Sequence, residues 1–156
     1  MSISVVSVVV VNWNGLKFLD RCLKSLSNQT YADKSLHKHD FEIILVDNGS
    51  TDDSVKFVKD NYPYITLLEN KSNMGFAAAN NQGIKIARGR YVVLLNNDTE
   101  TDKDWLKNLI KNADSSPKDI GMWTCKILSL HDPSIIDSVG GLLVSRCCIA
   151  KGRGRN

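Results

Sequence analysis

Several features that would assign this chain to a class at once are missing from it. It has no G-x-x-x-x-G-K-[ST] loop and no G-x-G-x-x-G after its first apolar run, which removes the standard P-loop and dinucleotide-binding readings. A G-x-S-x-G elbow is also absent, and Cys22 falls on an expected buried helix face, so nucleophilic hydrolase chemistry has no support. The four cysteines, Cys22, Cys125, Cys147 and Cys148, form no C-x-x-C pair and have no histidine at zinc-site spacing. They are expected to be reduced and structural. The apolar run Val5 to Val11 is far short of a membrane span, and Met1-Ser-Ile-Ser carries no positive charge that would open a signal peptide. A cytoplasmic location is expected, at most at the membrane face through partners.

Charge of one sign is also scarce. The net charge of +3 is local, because Arg146, Lys151, Arg153 and Arg155 cluster near the C-terminal end and the rest is slightly acidic. No aromatics interleave with that basic tail and no nucleic-acid motif precedes it, so nucleic acid is not an expected partner. What the chain does have is bulk: 156 residues, 42% of them hydrophobic, enough to bury a core without disulfide staples.

The apolar residues alternate between two periods. Ser4 to Val11 is a run of β-branched residues suited to a strand buried on both faces, and Leu16, Leu19, Cys22, Leu23 and Leu26 then recur at helical spacing. After a polar stretch holding His37 and His39, expected to be solvated, Phe41 to Val46 predicts a second buried strand. Ser50 with Asp53 resembles a capping box before a helical face of Val55, Val58 and Tyr62. Tyr64 to Leu68 predicts a third strand, and Gly75 to Ala87 a helix with Phe76, Ala79, Gly83 and Ala87 on its core face. Tyr91 to Leu95 predicts a fourth strand. Thr101 is placed to cap a helix with the stripe Trp105, Leu106, Leu109, Ile110 and Ala113, closed by Pro117, and Ile120 to Leu128 predicts a fifth strand. Such alternation implies an α/β fold, three-layered and Rossmann-like, with a mainly parallel sheet in one domain.

Three of these strands end in polar clusters: Asn12-Trp13-Asn14, Asp47-Asn48 and Asn96-Asn97-Asp98. In open α/β sheets the carboxyl ends of the strands form the ligand-binding rim. Taken singly, each Asn or Asp is equally at home as a turn or cap residue. Together they mark one rim. Asp98, after a strongly apolar strand, suits a hard divalent metal bridging a diphosphate, and Asp47 suits acceptance from a base or ribose.

As a set, the segments Val8-Val-Val-Val-Asn-Trp-Asn-Gly15, Ile44-Leu-Val-Asp-Asn-Gly-Ser-Thr-Asp52, Asn73-Met-Gly-Phe-Ala-Ala-Ala-Asn-Asn-Gln-Gly83 and Tyr91-Val-Val-Leu-Leu-Asn-Asn-Asp-Thr99 resemble the inverting family 2 glycosyltransferases of GT-A fold, especially rhamnosyltransferase-like members. The resemblance runs on through Trp105-Leu106 and Ile120-Gly121 to Gly140-Gly141. It implies that Val11, Trp13 and Asp47 hold a nucleobase and ribose, and that Asn73, Gly75 and Asn81 lie near the ribose and diphosphate. Asn96-Asn97-Asp98 stands where the family has D-x-D, so Asn97 is placed on the donor and Asp98 on Mn2+ or Mg2+. Asn96 in place of the first Asp implies a metal weakly held without donor. The implied donor is a dTDP- or UDP-linked sugar, with rhamnose suggested by Asn97-Asp98-Thr99, and the acceptor a saccharide or lipid-linked saccharide. Residues 1–156 would be the donor portion, with the general base beyond Asn156. Two other readings compete. A receiver-like module would need an acidic pair where Asn12 and Asn14 stand, and a sugar-nucleotide pyrophosphorylase would need a basic Gly-rich loop in place of Asn12 to Gly15.

Overall fold

The computed structural model describes residues 6–31, 41–138, 141–143 and 149–151. His37, His39, Ser4, Val5 and the side chains of the basic tail lie outside them. The chain divides into two compact units, Met1–Asp104 and Trp105–Asn156.

The first unit is built on four parallel strands, β1 (Val6–Asn12), β2 (Phe41–Asp47), β3 (Thr66–Glu69) and β4 (Tyr91–Asn96), in the order β3-β2-β1-β4. Between them run α1 (Leu16–Ser27), α2 (Ser54–Asn61) and α3 (Phe76–Ile86). This is the expected α/β arrangement of a parallel sheet flanked by helices. All seven residues of β1 are buried, as a central parallel strand requires. Val9, Val11, Ile44 and Val46 share one sheet face and cluster with Ala79 of α3. Gly83 lets α3 lie close, because a Cβ there would collide with the side chain of Val9. The register Val9↔Ile44 sends Val8, Val10, Ile43 and Leu45 to the opposite face. Helix α1 buries Leu19, Cys22, Leu23 and Leu26, the stripe its spacing predicts.

A polar lock closes the amino-terminal edge of this sheet. Ser7 Oγ and the Arg88 backbone N–H both donate to Glu42 Oε1 (2.7 Å each), and Arg88 Nε and Nη2 donate to Oε2 at 3.1 and 2.8 Å. The Gly89 N–H donates to Ser7 Oγ (2.8 Å), and a Cβ at Gly89 would stand 2.6 Å from the Val6 carbonyl carbon. The connection from α3 to β4 is thereby pinned beneath β1.

The second unit contains α4 (Trp105–Ser115), which buries Leu106, Ile110 and Ala113, and two antiparallel pairs. These are β5 (Ile127–Leu128) with β6 (Ile136–Ser138), and β7 (Gly141–Leu143) with β8 (Ile149–Lys151).

Four local expectations are corrected. The predicted fifth strand shrinks to Ile127–Leu128 and pairs antiparallel; Met122 and Lys126 face solvent, while the Trp123 indole donates to Ser116 Oγ (2.9 Å). An apolar run becomes a strand only where a ladder partner accepts it. Thr101 does not cap α4: its N–H donates to Ser25 Oγ (3.0 Å) and its hydroxyl accepts from Gln29 Nε2 (3.1 Å). Ser50 and Asp53 form no capping box, since Ser50 turns to Asp47 and the Ser54 N–H donates to Asp52 Oδ1 (3.1 Å). Phe76 is not on the core face of α3; as its first residue it stands 60% exposed.

The lock at Glu42 yields a pH prediction. Burial raises its pKa, but the donors on Ser7 and Arg88 outweigh this and hold it below the ordinary 4.5. A depressed folded pKa means stability is fully present above the unfolded value and lost as pH falls through the folded one. Glu42→Gln should cost about 1–2 kcal/mol at neutral pH, by the usual worth of charged hydrogen bonds. The gap in Tm between the two proteins should narrow between pH 5 and pH 3; a gap independent of pH would show that the carboxylate charge is not what holds the edge.

Candidate functional site

The register of the sheet brings the polar strand ends to one rim: Asn12 is opposite Asp47, and Val11 opposite Asn96. Asn12, fully buried, ties three loops together. Its Nδ2 donates to Asp47 Oδ2 (2.9 Å) and Ser50 Oγ (3.2 Å), while its Oδ1 accepts from Asn97 Nδ2 (2.7 Å). Asp47 is only 1% exposed and accepts two further bonds, from Ser50 N–H (2.8 Å) and Ser50 Oγ (2.7 Å).

The loop after β2 is anchored to the segment before α3 through Asn48. Its Nδ2 donates to Asn73 Oδ1 (2.8 Å) and to the Gly75 carbonyl (3.4 Å), and its Oδ1 accepts from Met74 N–H (2.9 Å) and Asn70 Nδ2 (3.1 Å). Asn70 and Gln82 exchange amide bonds at 2.8 and 3.0 Å. Gly49 takes φ +79°, where a Cβ would collide with the Ser72 backbone, and Gly75 takes φ +85° at the start of α3, conformations that glycine adopts at little cost. Asp52 links two more elements, accepting from Leu16 N–H at the start of α1 (3.1 Å) and Ser54 N–H at the start of α2 (3.1 Å). Partial desolvation raises its pKa, but the donors on Ser54 and Leu16 prevail and keep it below the ordinary value.

Above this amide scaffold lies an open cavity of about 310 Å³. Val11 and Trp13 line it from β1 and its loop, Asn96, Asn97 and Asp98 from the end of β4, and Asn48, Asn73 and Phe76 from the remaining side. The expected site residues therefore divide. Val11, Trp13, Asn73, Asn97 and Asp98 meet at the cavity. Asp47 lies beneath it with its oxygens engaged by Asn12 and Ser50, Gly75 heads α3, and Asn81 is exposed on α3 away from the lining. Asn48 and Phe76 line the cavity without having been expected to. Asn48 was signalled by the Asp47-Asn48 cluster, and Phe76 by its place directly after a helix-opening glycine.

The lining carries one charged side chain, Asp98, and no Lys or Arg. Among the described residues no group of three His, Cys, Asp or Glu could hold a metal by itself. One carboxylate beside the amide oxygens of Asn96 and Asn97 does fit a hard divalent ion whose remaining ligands come from a bound phosphate, the usual arrangement for Mg2+.

Beneath the end of β4, the Cys22 thiol of α1 donates to the Asn96 carbonyl (3.8 Å). Burial, and to a lesser degree the charge of Asp98, pushes its pKa up to about 12.

The Glycosyl transferase family 2 model matches residues 7–125. The cholesterol galactosyltransferase of Borreliella burgdorferi is 33% identical over 118 residues, which are 74% of this chain and 31% of that protein. S. aureus TarS 1-349 in complex with UDP superposes with a TM-score of 0.61 at 26% identity, covering 70% of this chain and 32% of that one. The mannosyltransferase PcManGT from Pyrobaculum calidifontis, in complex with GDP-Man and Mn2+, gives 0.62 at 28% identity, covering 71% and 33%. The chain spans about a third of the length of these relatives.

The packing beneath the rim has a chemical consequence. In the native protein Cys22 should resist iodoacetamide at pH 8 and react only on unfolding, as followed by peptide mass spectrometry. Alkylation at the rate of a free thiol would show that the Cys22 face of α1 is not buried.

Proposed function

Because the chain belongs to glycosyl transferase family 2, we propose that its first unit binds the nucleotide diphosphate of an activated sugar in the cavity at the strand ends. The observation that carries this reading is the pairing, in one cavity, of an exposed aromatic, Trp13, with a lone carboxylate, Asp98. Trp13 stacks on the nucleobase. Asn73 and Asn97 supply amide groups to the ribose and phosphates, and Asp47 acts from below by fixing Asn12 and Ser50. Relatives of the same fold bind UDP and GDP-Man, which supports a nucleotide-sugar donor.

An anionic diphosphate finds no cationic side chain in this lining, so Asp98 would hold Mn2+ or Mg2+ together with the donor. When bound, the metal supplies neutralisation of the charge that develops on the leaving diphosphate. Asp98 would carry the ion, and Asn96 and Asn97 could offer neutral oxygens beside it. A carboxylate engaged on a metal is a poor proton acceptor, so the general base that deprotonates the acceptor hydroxyl lies outside this lining. Direct attack by that hydroxyl inverts the sugar centre. The finer assignments are a UDP or dTDP donor, rhamnose as the sugar and a saccharide or lipid-linked acceptor at the cytoplasmic side; they rest on motif resemblance.

Calorimetry with UDP and dTDP, with and without Mn2+, tests the reading. Binding should be metal-dependent, and Asp98→Ala should abolish the metal-dependent part while leaving the fold intact. Trp13→Ala should cost about 1–3 kcal/mol, the usual worth of base stacking on an aromatic, or roughly fivefold to 150-fold in Kd. A folded protein that binds neither nucleotide in the presence of Mn2+ would refute it.

A further inference from the structure

Trp13 lines the cavity and is 56% exposed, and among the described residues no hydrogen bond or ring contact holds its indole. The backbone on either side sets the direction in which its Cα–Cβ bond leaves the chain. On one side Asn12 is fixed by its amide bonds and by the Asn48 N–H, which donates to its carbonyl (2.7 Å). On the other side stands Asn14, among the described residues the only one other than glycine with positive φ, at +49°.

Asn14 is also exposed, yet it is bonded as firmly as a core residue. Its N–H donates to Ser50 Oγ (2.8 Å). Its Oδ1 accepts from Thr51 N–H (2.7 Å), Thr51 Oγ1 (3.3 Å) and Asp52 N–H (3.4 Å). The side chain thus fastens the loop after β1 to the loop after β2, while its left-handed backbone reverses the chain into Gly15. There the path is narrow, since a Cβ at Gly15 would collide with the amides of Asn97 and Asn12. An unbonded left-handed turn would leave Trp13 hinged on one side.

We propose that Asn14 is the positioning residue for Trp13: the turn and the clamp at Ser50, Thr51 and Asp52 hold the indole as a ready stacking face for a nucleobase. This deepens the donor reading and rests on it for the nature of the ligand, though the ordering of the ring does not depend on it. Two properties of Asn14 separate experimentally. Asn14→Gly keeps the backbone turn and the N–H bond to Ser50 and loses the side-chain bonds to Thr51 and Asp52. Asn14→Asp keeps an oxygen that accepts from the same two N–H groups and hydroxyl and tolerates the left-handed region. Asn14→Ala disfavours the turn and loses the same side-chain bonds.

The test uses the full chain labelled with 5-fluorotryptophan. Its three tryptophans give three ¹⁹F resonances, and Trp13→Phe identifies the one of interest. The wild type and Asn14→Asp should show one narrow Trp13 resonance and similar affinity for UDP with Mn2+. Asn14→Ala and Asn14→Gly should broaden that resonance or move it toward the solvent-exposed position, and weaken UDP binding about tenfold, with Trp105 and Trp123 unchanged. If Asn14→Ala fails to fold, Asn14→Gly carries the same comparison. A lowered Tm with an unaltered Trp13 resonance in Asn14→Gly would overturn the proposal, because Asn14 would then be merely structural. A wild type that binds no nucleotide would refute the donor reading instead, and the free-protein resonances would still decide whether Asn14 orders the ring.

Discussion

The rim of the sheet depends on one buried amide. Asn12 sits at the end of the central strand, and its two amide heavy atoms are shared among loops that the chain separates by 35 and 85 positions. A carboxylate there would face Asp47 at hydrogen-bond distance, two like charges in a site with no cation, and a hydrocarbon would leave Asp47 and Asn97 each short of a partner. Only a side chain that donates on one side and accepts on the other satisfies both neighbours. The loops carrying Trp13, Ser50 and Asp98 are consequently placed by the sheet register through Asn12 and do not depend on loop stiffness.

The same preference for neutral amides extends across the site. Asn48, Asn70, Asn73 and Gln82 join through paired donors and acceptors, and Asn97 donates to Asn12, so the scaffold below the cavity is polar and rich in neutral amides. Amides do not titrate, so the bonds among them do not themselves depend on pH. The scaffold also leaves the electrostatics of the cavity to Asp98, the single charge in the lining. With Asn96 and Asn97 beside it, Asp98 is the only carboxylate in the lining. On the proposed reading, a second carboxylate would raise affinity for a free cation and also repel an incoming diphosphate.

What the sequence disclosed follows from how local each signal is. β1 and β2 were legible because both faces of a central parallel strand are buried, and an unbroken Val and Ile run has few other uses. The stripe of α1 was legible for the same reason at helical period. The segment from Ile120 to Leu128 is equally apolar, but a strand is a property of a pair, and its partner Ile136–Ser138 lies beyond a turn that no periodicity announces. Thr101 and Ser50 misled because a hydroxyl before a helix caps it only when no better partner is near. Ser25 and Gln29 in one case, and Asp47 in the other, are better partners that sequence distance conceals.

The site was half legible for a related reason. Residues at strand ends are assigned to the rim by topology alone, so Trp13, Asn97 and Asp98 could be named without coordinates. Depth could not. Asp47 and Asn48 are adjacent, both at the end of β2 and both buried, yet Asn48 reaches the cavity wall and Asp47 is turned beneath it. The pleat sends consecutive side chains to opposite faces, and β1 then offers Asn12 to one and leaves the other to the segment before α3. Asn14 was hidden more completely, since its importance lies in a backbone angle and in three acceptor contacts to residues 37 and 38 positions away. Asn followed by Gly suggests a turn; only the fold shows that this turn fastens two loops of the same rim and stands directly behind its one exposed indole.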